Sequence, residues 1–399
     1  MIRATRTQWI KFAVVLALYL IFLVWLRSWL GLVVVPFIFD AYITKKIPWT
    51  WWRESKNRHV VTVMGWVDAI VFALVAVYFV NLYFFQNYVI PSSSLEKSLL
   101  TGDYLFVSKM SYGPRVPQTP LHMPLAQHTL PFFNCKSYLE HPQWDYKRVK
   151  GLGDVQLNDI VVFNFPAGDT VATGVPNDDV YRLSYGAGKE LAKPVDLASM
   201  SPEQQRVVYD YYYQLGREYL KENPQNFGEI ISRPVDRREN YVKRCVGLPG
   251  QTLEIKDRII YLDGKANKEP DNVQYRYLVK TKRPIPDDLA HELGISKEDM
   301  MMYYTDASVY NMPLTEKAKA GLLARKDIVV SIENTPADDA GGLYPLNMYK
   351  NWTTDNYGPV WIPKKGETVK LTIENLPVYE RPIHVYEGNE LAVKDGKIY

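Results

Sequence analysis

The chain has 399 residues and a formal net charge of +3, too little positive charge to make nucleic acid its main partner. Its 29 Tyr and 10 Trp suit β-sheets and bilayer interfaces better than a helical bundle, and the length holds one large domain or two ordinary ones. Cys135 and Cys245 are the only cysteines, too few for a disulfide framework and without the CxxC spacing of a zinc or redox site, so they read as two free thiols.

Residues Ile10 to Leu26 are almost wholly apolar, and a second apolar run from Trp29 to Phe39 follows Arg27 and Ser28. Since about 20 apolar residues cross a bilayer, this region reads as one long tilted helix or as a short hairpin broken near Gly31 and Pro36. The single span is preferred. Val60 to Phe85 is interrupted only by Asp68, Asn81 and a few small residues, and is long enough to cross. The loop at 44–59 carries Lys45, Lys46, Arg53, Lys56 and Arg58 among three tryptophans, which predicts a cytoplasmic loop. No small-x-small cleavage site follows the first run, so the amino-terminus is expected to be an uncleaved anchor. Residues 1–87 form the anchor region, and 88–399 lie outside the cytoplasm.

From Tyr88 onward the text becomes β-rich. Candidate strands are Tyr104–Ser108, Ile160–Phe165, Asn240–Val246, Thr252–Lys256, Ile259–Leu262 and Thr368–Ile373, with a hairpin through Asp257-Arg258. Ser201–Asn223 and Thr315–Ala324 read as helices, the first opening on a Ser-Pro cap. No internal repeat is present.

Directly after the second span comes Tyr88-Val89-Ile90-Pro91-Ser92-Ser93-Ser94-Leu95. A serine triplet by itself is usually a loop or a helix cap. Further on, Tyr241-Val242-Lys243-Arg244-Cys245 runs as a strand into Gly247-Leu248-Pro249-Gly250. A strand lysine is usually a solvated edge residue. Alternation puts Lys243 on the face of Tyr241 and Cys245, which is expected to be the buried one.

These segments, in this order behind a membrane span, resemble bacterial signal peptidase I, also called leader peptidase. The family motif Pro-Ser-x-Ser-Met is matched by Pro91, Ser92, Ser93 and Ser94, with Leu95 in place of Met. Its Lys-Arg-x-x-Gly-x-Pro-Gly segment is matched by Lys243, Arg244, Gly247, Pro249 and Gly250. Its Gly-Asp-Ile-Val-Val-Phe strand is matched by Asn158 to Phe163, with Asn158 in place of Gly. The resemblance implies a mainly β catalytic domain anchored in the inner membrane, facing the periplasm. It implies Ser94 as nucleophile, Lys243 as general base, and Ser92 beside the Ser94 backbone N–H in the oxyanion hole. Tyr88, Ile90, Pro91, Leu95, Tyr241 and Val242 would line shallow substrate pockets. The implied partners are secretory preproteins with small residues before the cut, the lipid bilayer and the export translocon.

A serine hydroxyl needs a base, and an exposed lysine is protonated at neutral pH, so burial must lower its pKa. No histidine and no cofactor is then required. His59, His122, His128, His141, His291 and His384 lack ligand spacing, and no metal site is expected.

The chain departs from the family in two ways. Insertions at about 112–157, 167–239 and 268–390 lengthen it, and resemble those of Bacteroidetes signal peptidases. The family's later Gly-Asp-Asn-Arg-x-x-Ser-x-Asp-Ser-Arg segment has no match after Lys243, so the sequence is expected to be truncated at Tyr399. The rival readings are a catalytically silent membrane scaffold on the same fold and a Ser-Lys autoprotease, against which the membrane spans count.

Overall fold

Apolar sequence dictates how the first 83 residues fold. In the computed structural model, which describes residues 4–133, 135–302, 304–306, 309–337 and 342–399, helix α1 (Arg6–Leu26) opens on a reciprocal cap between Thr5 and Gln8. It ends at Arg27, whose left-handed φ of 50° turns the chain. A tight turn over Leu30–Val34, the short helix α2 (Val35–Phe39) and a wide turn over Asp40–Thr44 then run back along α1. The Phe39 ring lies 5.4 Å from Phe12 and 6.3 Å from Trp9, and the Tyr19 hydroxyl donates to the Gly31 carbonyl at 2.7 Å. A Cβ on Gly31 would come within 2.2 Å of the Leu23 side chain. The single tilted span is thus replaced by a hairpin, broken earlier than Gly31 because Arg27 and Ser28 interrupt the apolar run.

Asp40 closes the far end of this hairpin, accepting the backbone N–H of Lys46 at 2.9 Å and of Ile47 at 3.1 Å, the Trp49 indole N–H at 3.1 Å, and the Thr44 hydroxyl. Helix α3 (Arg58–Tyr83) starts on an Asn57 cap and packs on α1 through Phe22, 4.9 Å from Phe79 and 5.3 Å from Tyr83. Among the described residues, α1 and α3 are the helices long and apolar enough to cross a membrane, and almost none of their surface is covered by protein.

α3 passes directly into β1 (Phe85–Val89), which pairs antiparallel with β2 (Tyr104–Ser108). β3 (Arg115–Val116) pairs with β4 (Lys147–Arg148), β5 (Ile160–Asn164) with β8 (Asn240–Arg244), and β6 (Thr170–Ala172) with β7 (Ile230–Ser232). Between β6 and β7, helices α4 (Val180–Leu191) and α5 (Pro202–Glu222) cross closely, followed by the short α6 (Pro224–Phe227). The hairpin of β9 (Thr252–Lys256) and β10 (Ile259–Leu262) turns at Asp257 and Arg258, both with positive φ, as expected. β11 (Lys265–Ala266) extends it on one side.

The long insertion builds its own sheet from β12 (Gln274–Thr281), β13 (Tyr304–Asp306), β14 (Val309–Thr315) and β15 (Val329–Asn334), in the order β13-β14-β12-β15. Helices α7 (Asp287–Glu292), α8 (Lys297–Met302) and α9 (Glu316–Ala324) accompany it, around a core that includes Val279, Met312, Leu314, Leu322 and Ile328. β16 (Tyr357–Trp361) returns to pair with β9, so part of 268–390 belongs to the same sheet as the β9–β10 hairpin. After α10 (Leu376–Arg381), β17 (Val393–Lys394) and β18 (Lys397–Ile398) form a last small hairpin.

Three strand expectations shift. Ile160–Phe165 ends at Asn164 and Asn240–Val246 at Arg244. Thr368–Ile373 is not a strand: Val369, Leu371 and Ile373 do alternate inward, but no neighbouring strand supplies a ladder, and Thr372 instead turns back on Asn375. The catalytic part is made of small sheets, whereas the 167–239 insertion is largely helical.

The α4–α5 crossing depends on glycine. A Cβ on Gly216 would lie 1.8 Å from the Ser184 carbonyl oxygen, and one on Gly188 the same distance from that of Tyr212. Gly216→Ala should therefore destabilise the protein by about 1–3 kcal/mol through overpacking, lowering the thermal midpoint. An unchanged midpoint would show that the helices do not approach this closely.

Candidate active site

The nucleophile candidate is held by a short path from the membrane helix. Beyond β1, Ile90 is 3 % exposed, and both its backbone groups are bonded: its N–H donates to the Asp103 carbonyl at 3.0 Å, and its carbonyl accepts from Gly102 at 2.9 Å. Gly102 has a φ of 93°, a conformation that only glycine adopts without strain. The Asp103 carboxylate accepts from the Leu100 N–H at 2.8 Å, closing the loop. Ser93–Leu95 forms a single tight turn on this clamp.

Lys243 enters from β8, whose register with β5 pairs Val161 with Lys243 and Ile160 with Arg244. The Lys243 Nζ lies 2.7 Å from the Ser94 Oγ, within hydrogen-bonding distance although the two are 149 residues apart in sequence. The expected burial of Lys243 is corrected: the residue is exposed, whereas Tyr241 and Cys245 are half-buried. Among the described residues β8 pairs only with β5, and neither hydrophobic core cluster includes the lysine. Partial burial of the amine still pushes its pKa below the ordinary lysine value of 10.5.

Ser92 is extended and exposed, and its hydroxyl makes no hydrogen bond among the described residues; the same holds for the backbone N–H of Ser94. The segment that carries Ser94 therefore holds two uncommitted donors among the described residues. Of the expected pocket residues, Pro91 is exposed, Leu95, Tyr241 and Val242 are half-buried, and Ile90 is a buried anchor. Tyr241 stacks on Phe165 with centroids 4.5 Å apart, and burial pushes the Tyr88 phenol up to about 12. Two cavities of about 720 and 850 Å³ flank this region; neither includes Ser94 or Lys243, and Tyr88 lines the larger. The pair thus sits on an open surface. Among the described residues no group of three His, Cys, Asp or Glu could hold a metal ion.

Two supporting residues carry no role in the sequence reading. Arg244 donates to the Asn158 carbonyl at 2.7 Å and to the Ser98 hydroxyl at 2.8 Å, joining β8 to the loop that bears Ser94. Asn158 has a φ of 69°, which explains how Asn replaces a family Gly: Asn is the side chain that best tolerates left-handed backbone. Its N–H donates to Cys245 O, and the Cys245 N–H donates to Asp159 O, both at 2.8 Å. The Asp159 carboxylate accepts from Tyr112 at 2.6 Å, a bond that holds its pKa below the usual carboxylate value. The Lys-Arg pair was the available signal for the bridge, but its long-range partners cannot be read from one sequence.

A family model described as signal peptidase, peptidase S26, matches residues 63–299. Signal peptidase I P of Bacillus subtilis subsp. natto is 20 % identical over 279 residues, covering 69 % of this chain and 90 % of that protein. Signal peptidase I of Helicobacter pylori is 42 % identical over 56 residues, 14 % of this chain and 18 % of that protein. Signal peptidase I of Rickettsia prowazekii is 25 % identical over 165 residues, 38 % of this chain and 56 % of that protein. No solved structure matches the chain significantly.

The backbone at Asn158 makes a checkable demand. Asn158→Val should cost about 1–3 kcal/mol, since a β-branched residue is strained at positive φ, while Asn158→Gly should leave chemical denaturation midpoints unchanged or slightly raised. Equal loss from both substitutions would mean that the side chain, rather than the backbone conformation, is what the site requires.

Proposed function

The chain belongs to the signal peptidase family, peptidase S26, and from that premise we propose that it is a membrane-anchored serine endopeptidase that removes signal peptides from exported preproteins. The observation that carries this reading is the 2.7 Å approach of Lys243 Nζ to Ser94 Oγ. In the neutral form, the amine accepts the hydroxyl proton as Ser94 Oγ attacks the scissile carbonyl. The tetrahedral oxyanion that forms is met by the Ser94 backbone N–H and the Ser92 hydroxyl. Lys243 then returns the proton to the departing amine, leaving an acyl-enzyme, and activates a water that releases Ser94.

Open edges support an extended substrate. Among the described residues β1 pairs only with β2, and β8 only with β5, so each keeps one edge without a strand partner. A peptide can add there as a strand, with small side chains facing Tyr88, Leu95, Tyr241 and Val242. Such a peptide would also cover Lys243, completing the desolvation that the free protein only begins.

The hairpin of α1 and α2 supports a consistent membrane placement. Arg6 and Lys11 lie at one end, and the chain returns to that same end for Lys45, Lys46, Arg53, Lys56 and Arg58. Both basic segments then fall on the cytoplasmic side, as charge bias favours. α3 carries the chain back across, and the catalytic domain meets the opposite ends of the helices: the Trp25 indole donates to the Lys150 carbonyl at 3.2 Å, and Lys147 donates to the Arg27 carbonyl at 2.8 Å. This supports an inner-membrane protein with its peptidase domain in the periplasm.

A catalytically silent scaffold remains the second reading, favoured by one observation: the Lys243 amine has no bonding partner but Ser94 among the described residues. Preprotein cleavage by the full-length protein in detergent decides between them. Ser94→Ala and Lys243→Ala should each lower kcat by at least about a thousandfold, while Ser92→Ala should cost about 10²–10³ in kcat with little change in KM. Cleavage that persists undiminished in both dyad variants rules the mechanism out.

The pH dependence has a defined sign. Lys243 is a base only when deprotonated, and its pKa is lowered by burial, so the rate should rise with pH along a limb centred below 10.5. Topology has its own readout in Cys135, which is free and exposed: a membrane-impermeant maleimide should label it in spheroplasts without lysis. Labelling that requires lysis would reverse the proposed orientation.

A further inference from the structure

The larger cavity, about 850 Å³, lies between the last turns of α3, strands β1 and β2, the 112–127 segment, and Val162–Asn164 of β5 with Asn240 of β8; neither Ser94 nor Lys243 lines it. Lys109, Arg115, Arg148 and Arg237 line it, against Asp236 and Glu239. Glu239 is already committed, and Asp236 is committed through Oδ2, while its buried Oδ1 has no hydrogen-bond partner among the described residues. Asp236 Oδ2 accepts from the backbone N–H groups of Gln118 and Thr119 and from the Thr119 hydroxyl, each at 3.0 Å, and Glu239 pairs with His128 at 2.9 Å and with Arg233 at 3.2 Å. Two of the cations are held as well: Arg237 donates to the Thr119 hydroxyl at 2.7 Å, and Arg148 to the Gly113 carbonyl at 2.7 Å.

Lys109 and Arg115 are left. Neither charged group has a hydrogen-bond or ion-pair partner among the described residues, and both residues are half-buried. Burial and the neighbouring guanidinium groups push the Lys109 amine down to about 8, and burial also lowers Arg115. Unpaired, partly buried like charges are costly, and an anion between them would remove that cost.

The location narrows the kind of anion. Tyr78, Asn81 and Leu82 of α3 form one wall. The Tyr78 hydroxyl donates to the Pro120 carbonyl at 3.2 Å, and its ring lies 4.8 Å from that of His122, so the 117–122 segment is fixed to the end of the helix. The same connection then exposes Leu121, Met123, Leu125, Phe132 and Phe133, with Phe132 fully in the open. Apolar side chains displayed next to a cationic cavity, at the end of an apolar helix, are the arrangement of an interfacial lipid contact.

We propose that this cavity binds the phosphate group of an anionic phospholipid headgroup, with Lys109 and Arg115 as its charge partners. The proposal rests on reading α3 as a membrane span. The phosphate chemistry is shared with free phosphate and glycerol phosphate; the apolar loop beside the cavity is what selects the lipid.

The test uses the full-length protein in a neutral detergent, titrated with phosphatidylglycerol, phosphatidylcholine or glycerol phosphate and read by native mass spectrometry. Phosphatidylglycerol should bind at least about tenfold more tightly than phosphatidylcholine, the preference expected from two cations near a headgroup. Lys109→Met with Arg115→Gln should abolish that preference, and Lys109→Arg should keep it. Equal binding of the two lipids, or a preference that survives the double substitution, overturns the site. Glycerol phosphate binding as tightly as phosphatidylglycerol overturns the lipid as its source. A second measurement needs no substitution: in the unaltered protein, phosphatidylglycerol but not phosphatidylcholine should slow acylation of Lys109 by an amine reagent at least about fivefold, and equal rates count against the proposal. Preprotein cleavage and Cys135 labelling are read separately, so a failed lipid site is distinguishable from a failed peptidase or a reversed topology.

Discussion

Ser94 sits in a turn beyond β1, Lys243 in β8 of a different two-stranded sheet, and neither ladder fixes one against the other. The Arg244 guanidinium does, with one bond to the Ser98 hydroxyl on the nucleophile's side and one to the Asn158 carbonyl on the side of β5. Hydrogen bonds from a charged donor contribute about 1.5–3 kcal/mol each, and the planar fork of arginine fixes direction as well as distance. A lysine in its place could reach one acceptor but not hold both. Arg244 thus ties the loop that bears Ser94 to the strand pair that bears Lys243, and an error of about 1 Å there would remove the bond on which the proposed chemistry depends.

The same logic explains why the membrane connection is short and stiff. α3 enters β1 with only Phe84 between them, and the Lys109 N–H just beyond β2 donates back to the Phe84 carbonyl at 2.8 Å. The Ile90 clamp follows directly. Ser94 is therefore tied to α3 by paired strands, with no flexible linker in between. Under the proposed function, this connection would give Ser94 the same reference plane as a substrate held in the bilayer.

Local signals in the sequence were reliable where a side chain acts on its own backbone or alternates cleanly. The Asp257-Arg258 hairpin, the Ser201 cap and the Tyr104–Ser108 strand all follow from nearest neighbours. The order of Pro91-Ser92-Ser93-Ser94 and Lys243-Arg244 behind a span was enough to bring the two site residues together. What stayed hidden depended on distant partners. β14 alternates well, with Tyr310, Met312 and Leu314 buried, although it contains Pro313, a residue type that central strands exclude. Among the described residues β13 pairs with Val309 and Tyr310 alone, which leaves the outer side of Pro313 without a ladder. Likewise, the exposure of Lys243 follows from the absence of a covering layer, which alternation within β8 does not encode.

The insertions bear on the site unequally. The β12–β15 unit has its own core and touches the catalytic loop where Lys97, two residues past the turn that holds Ser94, donates to the Gly294 carbonyl at 2.5 Å. Lys97 itself has a φ of 70°, so the loop bends sharply at the point where the inserted unit grips it. The 112–157 segment instead packs on the membrane helices, through Tyr78 and Trp25. Ser94 is thereby braced from two sides, by the bilayer-facing segment through β1 and α3 and by the inserted sheet through Lys97. Long insertions cost little in chain entropy, and these two are placed where their rigidity acts on the nucleophile and leaves the outer edges of β1 and β8 open for a peptide.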